Sequence, residues 1–218
     1  MKPLSKLLLR KPCPRSKKVV DEGGTLVFLD ETGSSLKTTV GRTWAPRGQT
    51  PVIKTHLKWH SLSIIGALTS DGRVFQHTHR HAVRAAQVVD FLEHLLFFVA
   101  GPVTVVLDRA AIHRAKQVQD WLVAHPRLRL VYLPAYAPEF NPVELLWAYI
   151  KRQVLTDFVA RDLRHLKRRW AVGFAQVRAR HLARVFFRFV TRSPSASIMG
   201  TNHINVRYQH LIGDHHLG

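Results

Sequence analysis

Thr25-Leu-Val-Phe-Leu-Asp30 and Val103-Thr-Val-Val-Leu107-Asp108 are short apolar runs that each end on an aspartate. The first is bounded by Gly23-Gly24 and by Glu31-Thr-Gly33, and the second is almost wholly β-branched. Runs of this length and composition read as buried strands, the second of the kind found inside a parallel sheet. Ser61 to Leu68 and Val74 to His77 flank Ser70-Asp71-Gly72, a hairpin signal, so the chain starts as an antiparallel meander. Val40 to Trp44, closed by Ala45-Pro-Arg-Gly48, predicts one more strand within it.

The period then changes. Val88, Leu92, Leu95, Leu96 and Val99 recur at helical spacing within Val83 to Val99. Ile112 to Val123 predicts a second helix, Leu128 to Leu133 a strand, and Asn141-Pro142 opens a helix running to Val154. The order β-β-β-β-α-β-α-β-α is that of an α/β fold. Beyond it, Leu163, Leu166, Trp170 and Val177, then Leu182, Phe186 and Phe189, mark two amphipathic helices with a weak point at Gly173. Arg161, Arg164, Arg168, Arg169, Arg178 and Arg188 lie off the apolar stripe. The expected organisation is a basic flexible arm over 1–24, broken by Pro3, Pro12 and Pro14, a main domain over 25–157, and basic helices over 158–192 packed on it. The segment 193–218 carries no pattern.

Charge narrows the partners. The 218 residues hold 33 Lys and Arg against 14 Asp and Glu, a formal net charge of +19. Residues 1–18 contribute seven bases and no acid, and residues 151–192 twelve bases and two acids, so the excess sits at the two ends. Such an excess suits a polyanion bound through counterion release, or else forms a solvated basic face. A lone cysteine, Cys13, excludes an intramolecular disulfide and a cysteine-based zinc finger. The longest apolar run, Leu95 to Ala100, falls far short of the roughly 20 residues of a membrane span. A soluble intracellular protein is expected. The alternating histidines His77, His79 and His81 suggest zinc only weakly, because arginines and no cysteine surround them.

Carboxylates at strand ends are conspicuous in so basic a chain. Asp30 and Asp108 emerge at one edge if their strands are neighbours, and the helix carrying Glu144 can pack its N-terminus there. Three converging carboxylates would hold Mg²⁺ or Mn²⁺, hard ions that take oxygen ligands, and a two-ion site serves phosphoryl transfer. Each acid also has a plainer reading. Glu144 stands at N3 after Asn141 and Pro142, where it completes a capping box, Asp108 caps the next helix, and Asp30 belongs to a turn.

Four ordered motifs resemble the catalytic domain of DDE transposases, in particular the bacterial insertion-sequence branch of the mariner superfamily. They are Phe28-Leu-Asp-Glu-Thr32, Trp44-Ala-Pro-Arg-Gly48, Leu107-Asp-Arg-Ala-Ala-Ile-His113 and Leu133-Pro-Ala-Tyr-Ala-Pro-Glu-Phe-Asn-Pro-Val-Glu-Leu-Leu-Trp147. The resemblance runs from Thr25 to Phe189, with 35 residues between Asp108 and Glu144. It implies a ribonuclease H-like mixed five-stranded sheet flanked by helices and two Mg²⁺ or Mn²⁺ ions on Asp30, Asp108 and Glu144. The implied reaction is DNA cleavage at element ends followed by strand transfer. It further implies a bacterial cytoplasmic protein, nucleoid-associated when on DNA, acting as a homodimer or with a subunit that carries a helix-turn-helix reader. The family normally carries that reader N-terminally, whereas here Thr25 already opens the first strand. A catalytically silent DNA-binding remnant or partner subunit is the alternative.

Expected DNA contacts are Arg47, Arg109, His113, Arg114, Lys151 and Arg152. His113 reads either as a phosphate contact or as an exposed helix histidine. Trp44 reads either as a DNA contact or as core, and Trp147 as packing beside Val143, Ile150 and Val154. Arg109 replaces the family's usual asparagine, so its guanidinium either pairs with Asp108 against metal or reaches a phosphate.

Overall fold

The computed structural model describes residues 24–41, 44–47, 49, 52, 60–134 and 138–192. The expected arm over 1–24 and the segment 193–218 therefore lie outside the described residues, apart from Gly24. Five strands form one sheet, β1 (Thr25–Ser35), β2 (Ser61–Thr69), β3 (Val74–His79), β4 (Val103–Leu107) and β5 (Leu128–Tyr132), in the order β3-β2-β1-β4-β5. The meander pairs antiparallel, while β1–β4 and β4–β5 pair parallel. The parallel half needs crossovers, which the helices α1 (Ala85–Phe98) and α2 (Lys116–Val123) supply. Three more helices follow, α3 (Pro142–Gln153), α4 (Leu163–Ala179) and α5 (Leu182–Arg192). None of the described helices is long and apolar enough to cross a membrane.

Strand alternation divides the core into two layers. Leu26, Phe28, Leu62, Ile64 and Leu68 pack against α3, α4 and α5 through Trp147, Ile150, Trp170 and Phe174. Val27, Leu29, Ile65, Ala67, Val103 and Val105 face α1 and α2. On this alternation Asp30 follows Phe28 toward α3, and Glu31 follows Leu29 toward the other layer.

Three expectations are corrected. Val40 and Trp44 form no strand; they are 66% and 100% exposed, and the nearby pairing is a single bridge from Thr39 to Thr156. The chain instead extends β1 to Ser35, where it pairs with Ser61 of β2. The helix expected from Ile112 is broken, with a 3-10 turn over Ala111–Arg114 that stops at the extended residue Ala115 before α2. Gly173 does not weaken a helix, because α4 runs through it and the break falls at His181, with φ of 51°. A Cβ at Gly173 would stand 2.8 Å from Ile150 Cγ2, so the glycine lets α4 lie close on α3.

Candidate active site

The edge is built from β1 outward. The β1–β4 register ends at Phe28 opposite Val106, so two residues further on Asp30 comes level with Asp108. Where that ladder stops, the buried side chain of Asn141 takes over. Its Nδ2 donates to Leu29 O at 3.1 Å while its Oδ1 accepts from Val143 N at 3.1 Å. One amide thus caps α3 and fastens the helix N-terminus beside Asp30. Glu144, in the first turn, is not recruited as a capping partner, since Asn141 N–H goes to Pro138 O at 2.8 Å. The capping-box reading of Glu144 is corrected, and its carboxyl faces the edge.

Asp30 is held from the α3 side. Trp147 Nε1 donates to its Oδ2 at 2.9 Å. The indole reaches there because Gly66, opposite Asp30 on β2, has no Cβ; one placed there would stand 2.5 Å from Trp147 Cη2. Burial, then the charge of Glu144, push the Asp30 carboxyl up to about 7, with Glu31 adding and the Trp147 bond opposing. Glu144 is itself raised, by partial withdrawal of its carboxyl from water, while the nearby Lys151 ammonium works the other way. Lys151 is not free on the surface, as its Nζ donates to Thr32 Oγ1 at 2.7 Å.

Asp108 is gathered from the opposite side. Its Oδ1 accepts from Ala110 N at 2.8 Å and lies 2.9 Å from His113 Nδ1. The reading of Asp108 as a cap for the next helix is corrected, because Ala110 and Ala115 stand at the N-caps of the 3-10 turn and of α2 without a side-chain cap, and Asp108 Oδ1 instead closes a local turn onto Ala110 N. His113 is fully buried, and its Nε2 lies 3.0 Å from Glu31 Oε1. Burial disfavours the charged ring, but Glu31, then Asp108, outweigh it and raise His113 above the ordinary histidine range. The expectation of an exposed histidine or a direct phosphate contact is corrected, because both ring nitrogens are engaged inside the protein. The alternation of β1 thus lets adjacent carboxylates serve opposite sides, Asp30 toward Trp147 and Glu31 toward His113.

Arg109 does not pair with Asp108; its Nε donates to Leu133 O at 3.3 Å. Arg114 and Arg152 are exposed, the first in the 3-10 turn after β4 and the second at the end of α3, and Arg47 is exposed on the connection between β1 and β2. Trp44 is not core. His77 packs against Phe91 and His94, with ring centroids 5.2 and 4.6 Å away. Sequence reading missed Glu31, Trp147 as a polar partner, and Asn141 as a tie to the sheet. Its only signal for them was their presence within the quoted motifs.

The expectation that Asp30 ends its strand or belongs to a turn is corrected, because β1 runs on to Ser35 and Asp30 stands inside it, opposite Gly66. A mixed sheet of this order, with one carboxylate within β1, one directly after β4 and one in the first turn of α3, defines the ribonuclease H-like class. The chain belongs to the DDE superfamily endonuclease family, whose sequence model matches residues 25–167. It is 29% identical over 137 residues to an uncharacterized 39 kDa protein of insertion element IS630 from Shigella sonnei, covering 62% of this chain and 38% of that one. The fold is similar to that in a Mos1 strand transfer complex, with a TM-score of 0.67 at 15% identity over 90% of this chain and 60% of the other. The catalytic domain of Mos1 mariner transposase gives 0.60 at 16% identity, over 88% and 85%. The chain therefore spans well under half of its IS630 relative and about three fifths of the Mos1 chain in that complex.

Proposed function

We propose that this chain is the catalytic part of a transposase that cleaves DNA at insertion-sequence ends and joins the freed 3′ ends to target DNA. The observation that carries the reading is Asp30, a carboxyl raised to about 7 by burial and by the facing Glu144, level with Asp108 at one sheet edge. Carboxylates crowded in this way are short of positive charge, and their hard oxygen donors fit Mg²⁺ or Mn²⁺. Among the described residues no three His, Cys, Asp or Glu side chains are gathered tightly enough to hold an ion as they stand. Mos1 paired-end complexes described as containing Mn and Mg support divalent chemistry by likeness. Asp30, Asp108 and Glu144 would hold the metal, two ions in the full reading. Bound there, it supplies charge neutralisation at the scissile phosphate and a lowered pKa for the attacking water.

The chain's own residues do the positioning. Trp147 and the Glu31 backbone N–H hold the carboxyl of Asp30, and His113 with Ala110 N–H holds one oxygen of Asp108. Asn141 fixes Glu144 relative to Asp30. Arg109, Arg114, Arg152 and Arg47 are available to phosphates, and Lys151 balances Glu144. Arg109 bonded to a backbone carbonyl leaves Asp108 unblocked, which favours a working site over a silent remnant. A dimer, or a partner supplying sequence recognition, completes the proposal.

Supercoiled plasmid incubated at low salt with Mn²⁺, Mg²⁺ or EDTA tests the reading. Nicking is expected with either metal, none with EDTA, and none from Asp108→Ala. Nicking that survives in the variant overturns it.

A further inference from the structure

We infer that the exposed cations where α4 meets the end of α3 form a docking surface for one strand of duplex DNA, beyond the catalytic edge. Not every arginine in the C-terminal helices is available. Arg169 donates to Val154 O at 2.8 Å, Arg178 to Val74 O at 3.1 Å, Arg180 to Tyr149 Oη at 3.4 Å and Arg184 to Asp71 O at 3.2 Å. These guanidiniums serve the fold. Arg152, Arg161, Arg164, Lys167 and Arg168 are exposed, and among the described residues their side chains make no hydrogen bond or ion pair.

The available cations are close together. At about 100° per residue, Arg164, Lys167 and Arg168 fall within an arc of about 100° on α4. The Arg169 bond to Val154 O pins this part of α4 beside the C-terminus of α3, which presents Arg152. Of the nearby acids, Asp157 accepts from Gly41 N at 2.9 Å, and Asp162 accepts from His165 N at 2.7 Å while its charge offsets part of that of Arg164, so the five cations keep a net positive charge. The opposite layer is different. Helix α1 carries Asp90 and Glu93 with no Lys or Arg, and on α2 Lys116 is paired with Asp120 at 2.6 Å. The exposed cations are therefore denser on α4 and the end of α3 than on α1 and α2.

Dimensions favour duplex DNA. From Arg164 to Arg168 the helix rises about 6 Å at 1.5 Å per residue, with Arg161 just before its N-cap. One DNA strand offers a phosphate about every 3.4 Å along the axis, so the patch matches about three phosphates. Glu144 and Arg152 are about 12 Å apart along α3, which places the patch where a duplex engaged at the carboxylates would continue. The partner's identity rests on the transposase reading; the location rests on which cations are free.

The test is binding of a labelled duplex by the full chain in EDTA, followed by anisotropy over a range of salt concentrations. The substitutions Arg164→Gln, Lys167→Gln and Arg168→Gln combined are expected to reduce the slope of log K against log salt by about 2.7, from about 0.9 per phosphate contact. Lys116→Gln on the opposite layer is the control and leaves the slope unchanged. A triple variant with the wild-type slope overturns the surface while leaving the transposase reading intact. Absence of DNA binding by the wild-type chain overturns both. Loss of self-association with unchanged DNA affinity overturns the proposal in favour of a protein partner.

Discussion

Asp30→Asn should make the protein more stable above neutral pH while abolishing its chemistry. In the folded chain the Asp30 carboxyl is raised from 3.8 to about 7, by burial first and then by Glu144. The folded state therefore binds more protons than the unfolded state between these values, and stability falls as pH rises through the window. At about 1.4 kcal/mol per pKa unit, the full loss is at most about 4 kcal/mol. The asparagine amide keeps an oxygen for the Trp147 N–H and never ionises. Urea unfolding of wild type and variant, in EDTA, should give equal stabilities near pH 4 and a gap opening in favour of the variant to about 3–4 kcal/mol by about pH 8. Taking the difference between the two proteins cancels contributions from other titrating groups that the substitution leaves alone. Parallel curves from about pH 5 to about pH 8 would refute the burial and charge crowding on which the site is argued.

Trp147→Phe keeps an aromatic ring against Trp170 and Phe174 but removes the indole donor. A hydrogen bond to a charged group contributes about 1.5–3 kcal/mol, so the Asp30 midpoint should move up by about 1–2 pH units in the same unfolding series. His113→Ala removes a buried ring between Glu31 and Asp108 and should cost about 2 kcal/mol below pH 6, measured by urea unfolding. Because the folded His113 value is raised, that contribution is full below the ordinary 6.5 and fades as pH rises through the folded value. Gly66→Ala drives a Cβ into Trp147 and should lower stability by about 1–3 kcal/mol, seen as a reduced melting temperature, with a parallel loss of plasmid nicking.

Much of this was legible because it is local. The strand β1, the hairpin at Asp71-Gly72 and the start of α3 at Asn141-Pro142 each carry their signal within a few residues. The strand expected at Val40 to Trp44 failed for the opposite reason. Its β-branched residues favour extension, but β2 is already occupied by β1 out to Ser35. The burial of His113 was invisible because it depends on β4 lying beside β1, which brings Glu31 to a residue 82 positions away. Trp147 was read as packing, which is correct for most of the ring; its one polar atom found Asp30 only because Gly66 left space. Gly173 showed the same ambiguity, since a helix-weakening residue and a close-packing residue are spelled alike.

The bond from Asn141 to Leu29 O bears on how such chains tolerate change in length. Glu144 is positioned by a contact to the sheet three residues upstream, not by the connection that leaves β5. Insertions or deletions between Leu133 and Pro138 would lengthen or shorten that connection without displacing the carboxylate. The interval that must be kept is the one from Asn141 to Glu144, and the spacing of 35 residues between Asp108 and Glu144 can drift among descendants of this gene through the length of that one connection.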